Sequence, residues 1–306
     1  MLTASPAWET LRPLSENDAQ TREKLRPIVA PNKGRLTGPA ARPAYGAIME
    51  RVQPAPGVIF EADVVGGIEG WWCKPPAAPA DRAILHLHGG WFVFGSAQTY
   101  RNFASNIAQR AGVATFVADY RLAPEHPLPA AIDDARASYE GLIARGFRDV
   151  AVTGDSAGGA LAIELAAALE RDPRSIKPSA LVLLSPVTDL TLSGETWRTR
   201  NEADWYFTLA QVQGLVRMYL DTQSAVDPLA SPLYLDLHGL PPIRVHAGDD
   251  ELLLDDSRRF VARAVAAGVD ATLTVWEGML HVFPNAVGTF EASDAALHEI
   301  GSFLKR

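Results

Sequence analysis

A single cysteine, Cys73, leaves no possibility of a disulfide within the chain and is the usage expected of a reducing, cytoplasmic setting. No apolar run reaches the ~18 residues needed to cross a bilayer, so no membrane span is expected. The opening MLTASPAWETLRPLSEND lacks a cationic patch followed by an apolar stretch, so no secretory leader is expected either. Basic residues are outnumbered, 28 Lys and Arg against 36 Asp and Glu, and the net charge of −8 argues against a nucleic-acid or anionic-membrane partner. What is present is core: 47% of the 306 residues are hydrophobic and 21% charged, which suits one large α/β domain.

Residues 1 to about 50 read differently from the rest. A polar, helix-compatible stretch from Ser15 to Val29 runs into LRPIVAPNKGRLTGPAARPAYG, whose prolines and glycines forbid long helices and strands. This segment is expected to be a cap arm draped over a catalytic body at 51–306. VIFEADVV and IEGWWCK then flank Gly66-Gly67, a two-residue hairpin signature. Beyond it, apolar runs alternate with helical patterns: AILHLHG, VATFVADY, DVAVTG, ALVLLSP, IRVHAG and ATLTVWEG are the runs. That order predicts a mostly parallel central sheet of about eight strands flanked by helices, with antiparallel strands at one edge. The interval at about 190–230 breaks the rhythm, is rich in aromatics, and is expected to complete a helical cap.

VTGDSAGGA carries the chemistry. Ser156 lies between a β-run and a helix within Gly154-Asp155-Ser156-Ala157-Gly158, a G-x-S-x-G pattern. A nucleophile on so tight a turn adopts strained backbone angles, and side chains two positions to either side would collide, hence the glycines. The pattern alone arises by chance in roughly a tenth of such chains; the strand before it and the helix after it make it specific. A serine hydroxyl needs a base, and the base an orienting carboxylate. Of seven histidines, His86 and His246 fall within β-runs as core residues, whereas His281 follows the last run in a loop that can reach the sheet's carboxyl edge. Asp249 and Asp250, directly after IRVHAG, are the candidate acids; Asp255 and Asp256 read as helix-start residues. An oxyanion needs main-chain donors, one from Ala157 and others from the loop His88-Gly89-Gly90-Trp91. Gly89, Gly90 and Trp91 are therefore candidates. Trp91 is expected at negative φ with its indole turned away from the anion. His86 and His88 share a strand face, but no third ligand with metal spacing accompanies them, so no metal or other cofactor is expected.

These motifs, with DYRLAPEHPLPAAIDD (119–134), SPVTDL (185–190), DPLASPL (227–233), GDDELLLDDS (248–257) and GMLHVF (278–283), resemble the bacterial hormone-sensitive-lipase family of esterases, of the α/β-hydrolase fold. The resemblance implies a triad in the order Ser156, Asp250, His281. It prefers Asp250 to Asp249 because the family's catalytic Asp is commonly followed by Glu or Pro, here Glu251. It puts oxyanion donors on Gly90 and Trp91, the latter where the family has a third glycine. It further implies an N-terminal cap, and often homodimers formed through the last strand. The expected substrate is a small carboxylic ester of short acyl chain or compact ring, with Trp91, Phe92, Asp155, Trp205, Tyr206 and Val282 as candidate pocket residues. A lactonase or amidase on the same triad, or a non-catalytic binding member of the fold, is the alternative.

Overall fold

The computed structural model describes residues 6–306. The arm begins with β1 (Glu9–Arg12) and α1 (Glu16–Val29), the latter N-capped by Ser15, whose hydroxyl accepts from Asp18 N. After two short 3₁₀ turns comes α2 (Arg42–Met49). β2 (Ile59–Val65) and β3 (Ile68–Lys74) form the expected hairpin, with Gly66 and Gly67 both at positive φ (61° and 84°). β4 (Arg82–Leu87), α3 (Ala97–Ala111), β5 (Ala114–Ala118), α4 (Ala130–Ala144), β6 (Asp149–Asp155), α5 (Ala157–Arg171) and β7 (Leu181–Leu184) follow in alternation. The insertion supplies α6 (Thr196–Thr199) and α7 (Leu209–Leu220). β8 (Ile243–Gly248), α8 (Leu254–Ala266), β9 (Ala271–Trp276) and α9 (Glu291–Leu304) complete the chain.

Among the described residues the sheet has nine strands in the order β1-β9-β8-β7-β6-β4-β5-β3-β2, parallel throughout except at β3. The strand beyond the expected eight is β1, which pairs in parallel with β9, Glu9 opposite Leu273 and Arg12 opposite Trp276. Nothing in ETLR resembles a hydrophobic strand. Main-chain bonds hold it in place, Leu273 N donating to Trp8 O and Glu277 N to Arg12 O, with the ion pairs Glu9–Arg258 and Arg12–Glu299 flanking them. The backbone edge of β9, which the resemblance puts at a dimer contact, is thus already hydrogen-bonded within the chain. Leucine, valine and isoleucine from β4, β6, β7 and β8 are almost wholly buried between the flanking helices, as a doubly covered parallel sheet requires. No helix of the described residues is long and apolar enough to cross a membrane.

His246, on β8, is a core residue as its β-run implied. It is buried, and Trp276 Nε1 donates to its Nδ1 at 3.3 Å, a bond that requires an unprotonated nitrogen. Burial, assisted by the Arg12 charge, lowers its pKa to about 4. The unfolded chain therefore binds a proton at this residue from pH ~6.5 downward and the folded chain only near 4. Stability should fall across that window by on the order of 3 kcal/mol. Urea unfolding of His246→Phe should show a correspondingly shallower loss between pH 7 and pH 4.5, whatever its stability at neutral pH. Identical pH slopes in the two proteins would refute the assignment.

Candidate active site

Three loops meet at the carboxyl ends of neighbouring strands because β4, β6, β7, β8 and β9 lie in spatial order. Ser156 sits in the turn from β6 to α5 with φ 51° and ψ −117°, a conformation that L residues rarely hold. Both flanking glycines are sterically required: a Cβ at Gly154 would stand 2.2 Å from Gly158 O, and one at Gly158 would stand 1.9 Å from Leu87 O. The turn is gripped from β7, since Ser156 N donates to Leu184 O at 2.8 Å and Val187 N to Ser156 O at 3.0 Å.

Beside it, β4 ends in the glycine loop. Gly90 is at φ 119°, and a Cβ there would stand 2.4 Å from Phe94 O. Trp91 is at φ 52° and Phe92 at φ 60°, so the expectation of negative φ at Trp91 is overturned. The reason lies in the next residues: Val93 N and Phe94 N both turn back to Gly90 O (3.0 and 2.8 Å), and that tight turn carries Trp91 and Phe92 through the left-handed region. Among the described residues, the amides of Gly90, Trp91 and Ala157 donate to no protein acceptor and remain free for a ligand oxygen. Gly89 differs from expectation. Its N–H donates to Asp155 Oδ1 at 3.0 Å, which removes it from the donor set. The Asp155 carboxylate is thus engaged by the glycine-loop backbone. It lies buried, also accepting from Tyr100 OH at 3.3 Å, and Tyr100 in turn shares a 2.5 Å hydrogen bond with Tyr45 of α2.

His281 follows β9 in a buried loop. The carboxylate that approaches it is that of Glu251, whose Oε2 is 3.9 Å from His281 Nδ1, just beyond hydrogen-bond reach. Asp250 is instead held by α1: Arg22 donates to its Oδ2 at 2.5 Å. The local reason is the fold of the loop after β8. Asp249 N bonds Trp276 O and Asp250 N bonds Met279 O, lacing the loop to the chain before His281. Asp249 Oδ1 accepts from Gly278 N. Asp250 is left facing α1, and the next residue, Glu251, is fully buried, where its Oε2 accepts from Ser185 Oγ at 2.7 Å and from Gly248 N at 3.2 Å. Among the described residues, His281 Nδ1 and Glu251 Oε1 are both buried without a hydrogen-bond partner. Glu251 could have been noticed in GDDELLLDDS as the carboxylate beside the two aspartates, but nothing in the sequence says which of three adjacent acids faces inward.

The pocket candidates separate. Trp91 is 2% exposed, its ring edge-on to Phe207 at 5.6 Å, and Phe207 is in turn edge-on to His281 at 5.1 Å. Phe92 stacks on Tyr219 at 3.7 Å and belongs to the core. Trp205 is buried beneath the Arg22 guanidinium, 5.2 Å away, while Tyr206 is partly exposed. Val282 is buried at φ 51° and donates its N–H to Ser185 Oγ at 3.0 Å. Phe207, which touches both Trp91 and His281, was not among the candidates; Asp204 fixes its backbone. Asp204 Oδ1 accepts from Tyr206 N and Phe207 N, and Oδ2 accepts from Leu252 N, joining the insertion to the loop that carries Glu251. The arm joins the same assembly: Lys33 Nζ donates to Asp204 O at 2.8 Å and Gly34 N to Tyr206 O at 2.9 Å.

Comparison with known proteins shows the family. The family model for the alpha/beta hydrolase fold matches residues 84–285. An esterase of Acinetobacter venetianus is 36% identical over 90% of this chain and 91% of its own length. An acetyl-hydrolase of Streptomyces hygroscopicus is 34% identical over 99% of this chain and 97% of its own. The crystal structure of an esterase from the bacterial hormone-sensitive lipase family superposes with a TM-score of 0.88 at 37% identity, covering 95% of this chain and 98% of the other. A strained serine between two obligatory glycines, free amides beside it and a histidine–carboxylate pair across the same sheet edge, in a chain so related, belong to the α/β-hydrolase esterases of the bacterial hormone-sensitive-lipase family.

Proposed function

We propose that this carboxylesterase works through Ser156, His281 and Glu251, with Gly90, Trp91 and Ala157 as its oxyanion donors. The observation that carries the proposal is Ser156 held at φ 51° beside three main-chain amides that donate to no protein acceptor. His281 accepts the Ser156 proton as Oγ attacks the ester carbonyl. The tetrahedral oxygen carries the negative charge, which the three amides stabilise without reorganising. Collapse breaks the bond to the alcohol, which leaves with the proton from His281. Water, deprotonated by the same imidazole, then attacks the acyl-enzyme, and the carboxylic acid departs as the serine is reprotonated. Glu251 holds Nδ1–H so that Nε2 is the basic nitrogen; the unpartnered Nδ1 and Oε1 make this the pairing that satisfies both. A fluorophosphonate should add covalently to Ser156, located by peptide mass spectrometry. Modification elsewhere, or none in protein that hydrolyses p-nitrophenyl acetate, would defeat the assignment.

The preferred acyl group is short. Trp91 occupies the third oxyanion position with its ring packed between Phe207 and Trp197, so a bulky side chain lies where the family has a glycine hydrogen. Trp91→Gly should relieve the positive-φ strain and open that space. With about 0.8 kcal/mol per buried methylene, kcat/KM for p-nitrophenyl octanoate relative to acetate should rise by roughly tenfold or more. An unchanged octanoate-to-acetate ratio in folded Trp91→Gly would remove Trp91 from the acyl site.

A further inference from the structure

We propose that Ser185, at the end of β7, is a positioning residue for the reaction, holding the acid and base loops in register with the nucleophile through its hydroxyl. The inference rests on the reading of Glu251 and His281 as acid and base. Ser185 is fully buried, and its Oγ makes two bonds to two different loops: it donates to Glu251 Oε2 at 2.7 Å and accepts from Val282 N, the residue after His281, at 3.0 Å. Its own chain is fastened to the nucleophile turn on both sides, by Ser156 N to Leu184 O and by Val187 N to Ser156 O. One hydroxyl therefore connects the elements bearing Ser156, Glu251 and His281.

The backbone supports a functional reason for serine at this position. Ser185 is at φ 47°, and it precedes Pro186, which disfavours helical backbone at the residue before it. Such strain persists where the surrounding structure over-determines it. Glycine would satisfy the conformation more easily, but it has no hydroxyl. Without that hydroxyl Glu251 Oε2 would keep only Gly248 N, and Val282 N–H would be buried with no acceptor. The carboxylate and the imidazole would then be free to drift from a pairing that must hold within fractions of an ångström.

The test is a double-mutant cycle read in kcat and KM with p-nitrophenyl acetate. Ser185→Gly relieves the strained φ, so it should fold and melt close to the parent; Ser185→Ala is a second variant lacking the hydroxyl. Both should lose about 10- to 100-fold in kcat with KM within about twofold. In a Glu251→Gln background, Ser185→Gly should cost no more than about threefold further, because the hydroxyl acts through the carboxylate. Full kcat in folded Ser185→Gly, or losses that multiply across the cycle, would overturn the proposal. Two controls distinguish its failure from that of the function: persistent turnover by Ser156→Ala defeats the serine mechanism itself, and full kcat in Glu251→Gln defeats the acid assignment.

Discussion

Ser156→Ala is expected to lower kcat for p-nitrophenyl acetate by about 10⁴- to 10⁶-fold while leaving the melting temperature nearly unchanged. Ser156→Gly should be as inactive yet more stable. The distinction is conformational. At φ 51° and ψ −117° any residue with a Cβ is strained, and alanine keeps the Cβ that glycine lacks. Relief of about 1 kcal/mol corresponds to a rise of about 2 °C in a chain of this size. The elbow would thus hold its nucleophile at a cost in stability that only glycine avoids. A Gly variant melting no higher than the Ala variant would show that the turn is unstrained, and residual turnover near the parent value in either would remove Ser156 from the chemistry.

Glu251→Gln and Asp250→Asn should separate sharply. Glutamine keeps the size of Glu251 but can present an amide N–H to His281 Nδ1, which favours the wrong tautomer and removes the charge that stabilises the imidazolium. A loss of about 10²- to 10⁴-fold in kcat is expected. Asp250→Asn should retain kcat within about threefold, because its carboxylate faces Arg22 of α1. That pair is mostly buried, only 15% and 21% exposed on the two side chains, so Asp250→Asn should lower the melting temperature while sparing turnover. Steady-state kinetics on the two purified proteins decides the matter. Equal losses would return Asp250 to the triad, and an unaffected Glu251→Gln would leave the histidine without its acid.

The two carboxylates show where reading a sequence stops. GDDELLLDD announces an acid after the penultimate strand, and the alternation of apolar runs with helices announces the strand. Which carboxylate meets His281 depends on how the loop after β8 is laced to the loop before His281, through Asp249 N to Trp276 O and Asp250 N to Met279 O. Those are main-chain bonds between segments about thirty residues apart, and main-chain bonding leaves no mark in the letters. The same holds for Trp91. Its place in the loop after β4 was legible, but its positive φ comes from the amides of Val93 and Phe94 turning back onto Gly90 O.

Local chemistry needed no coordinates. Glycines on both sides of Ser156, the hairpin at Gly66-Gly67 and the parallel order of apolar runs are consequences of steric exclusion and hydrophobic period, which act between neighbours along the chain. Folding settled what distant groups do to one another. Gly89 gives its amide to Asp155, Arg22 pairs with Asp250, Asp204 carries Phe207 onto His281, β1 closes the edge of β9, and Ser185 ties three loops together. Each of these is a competition among several polar groups for one partner, and the winner depends on separations of an ångström or less, because hydrogen bonds weaken steeply with distance and angle.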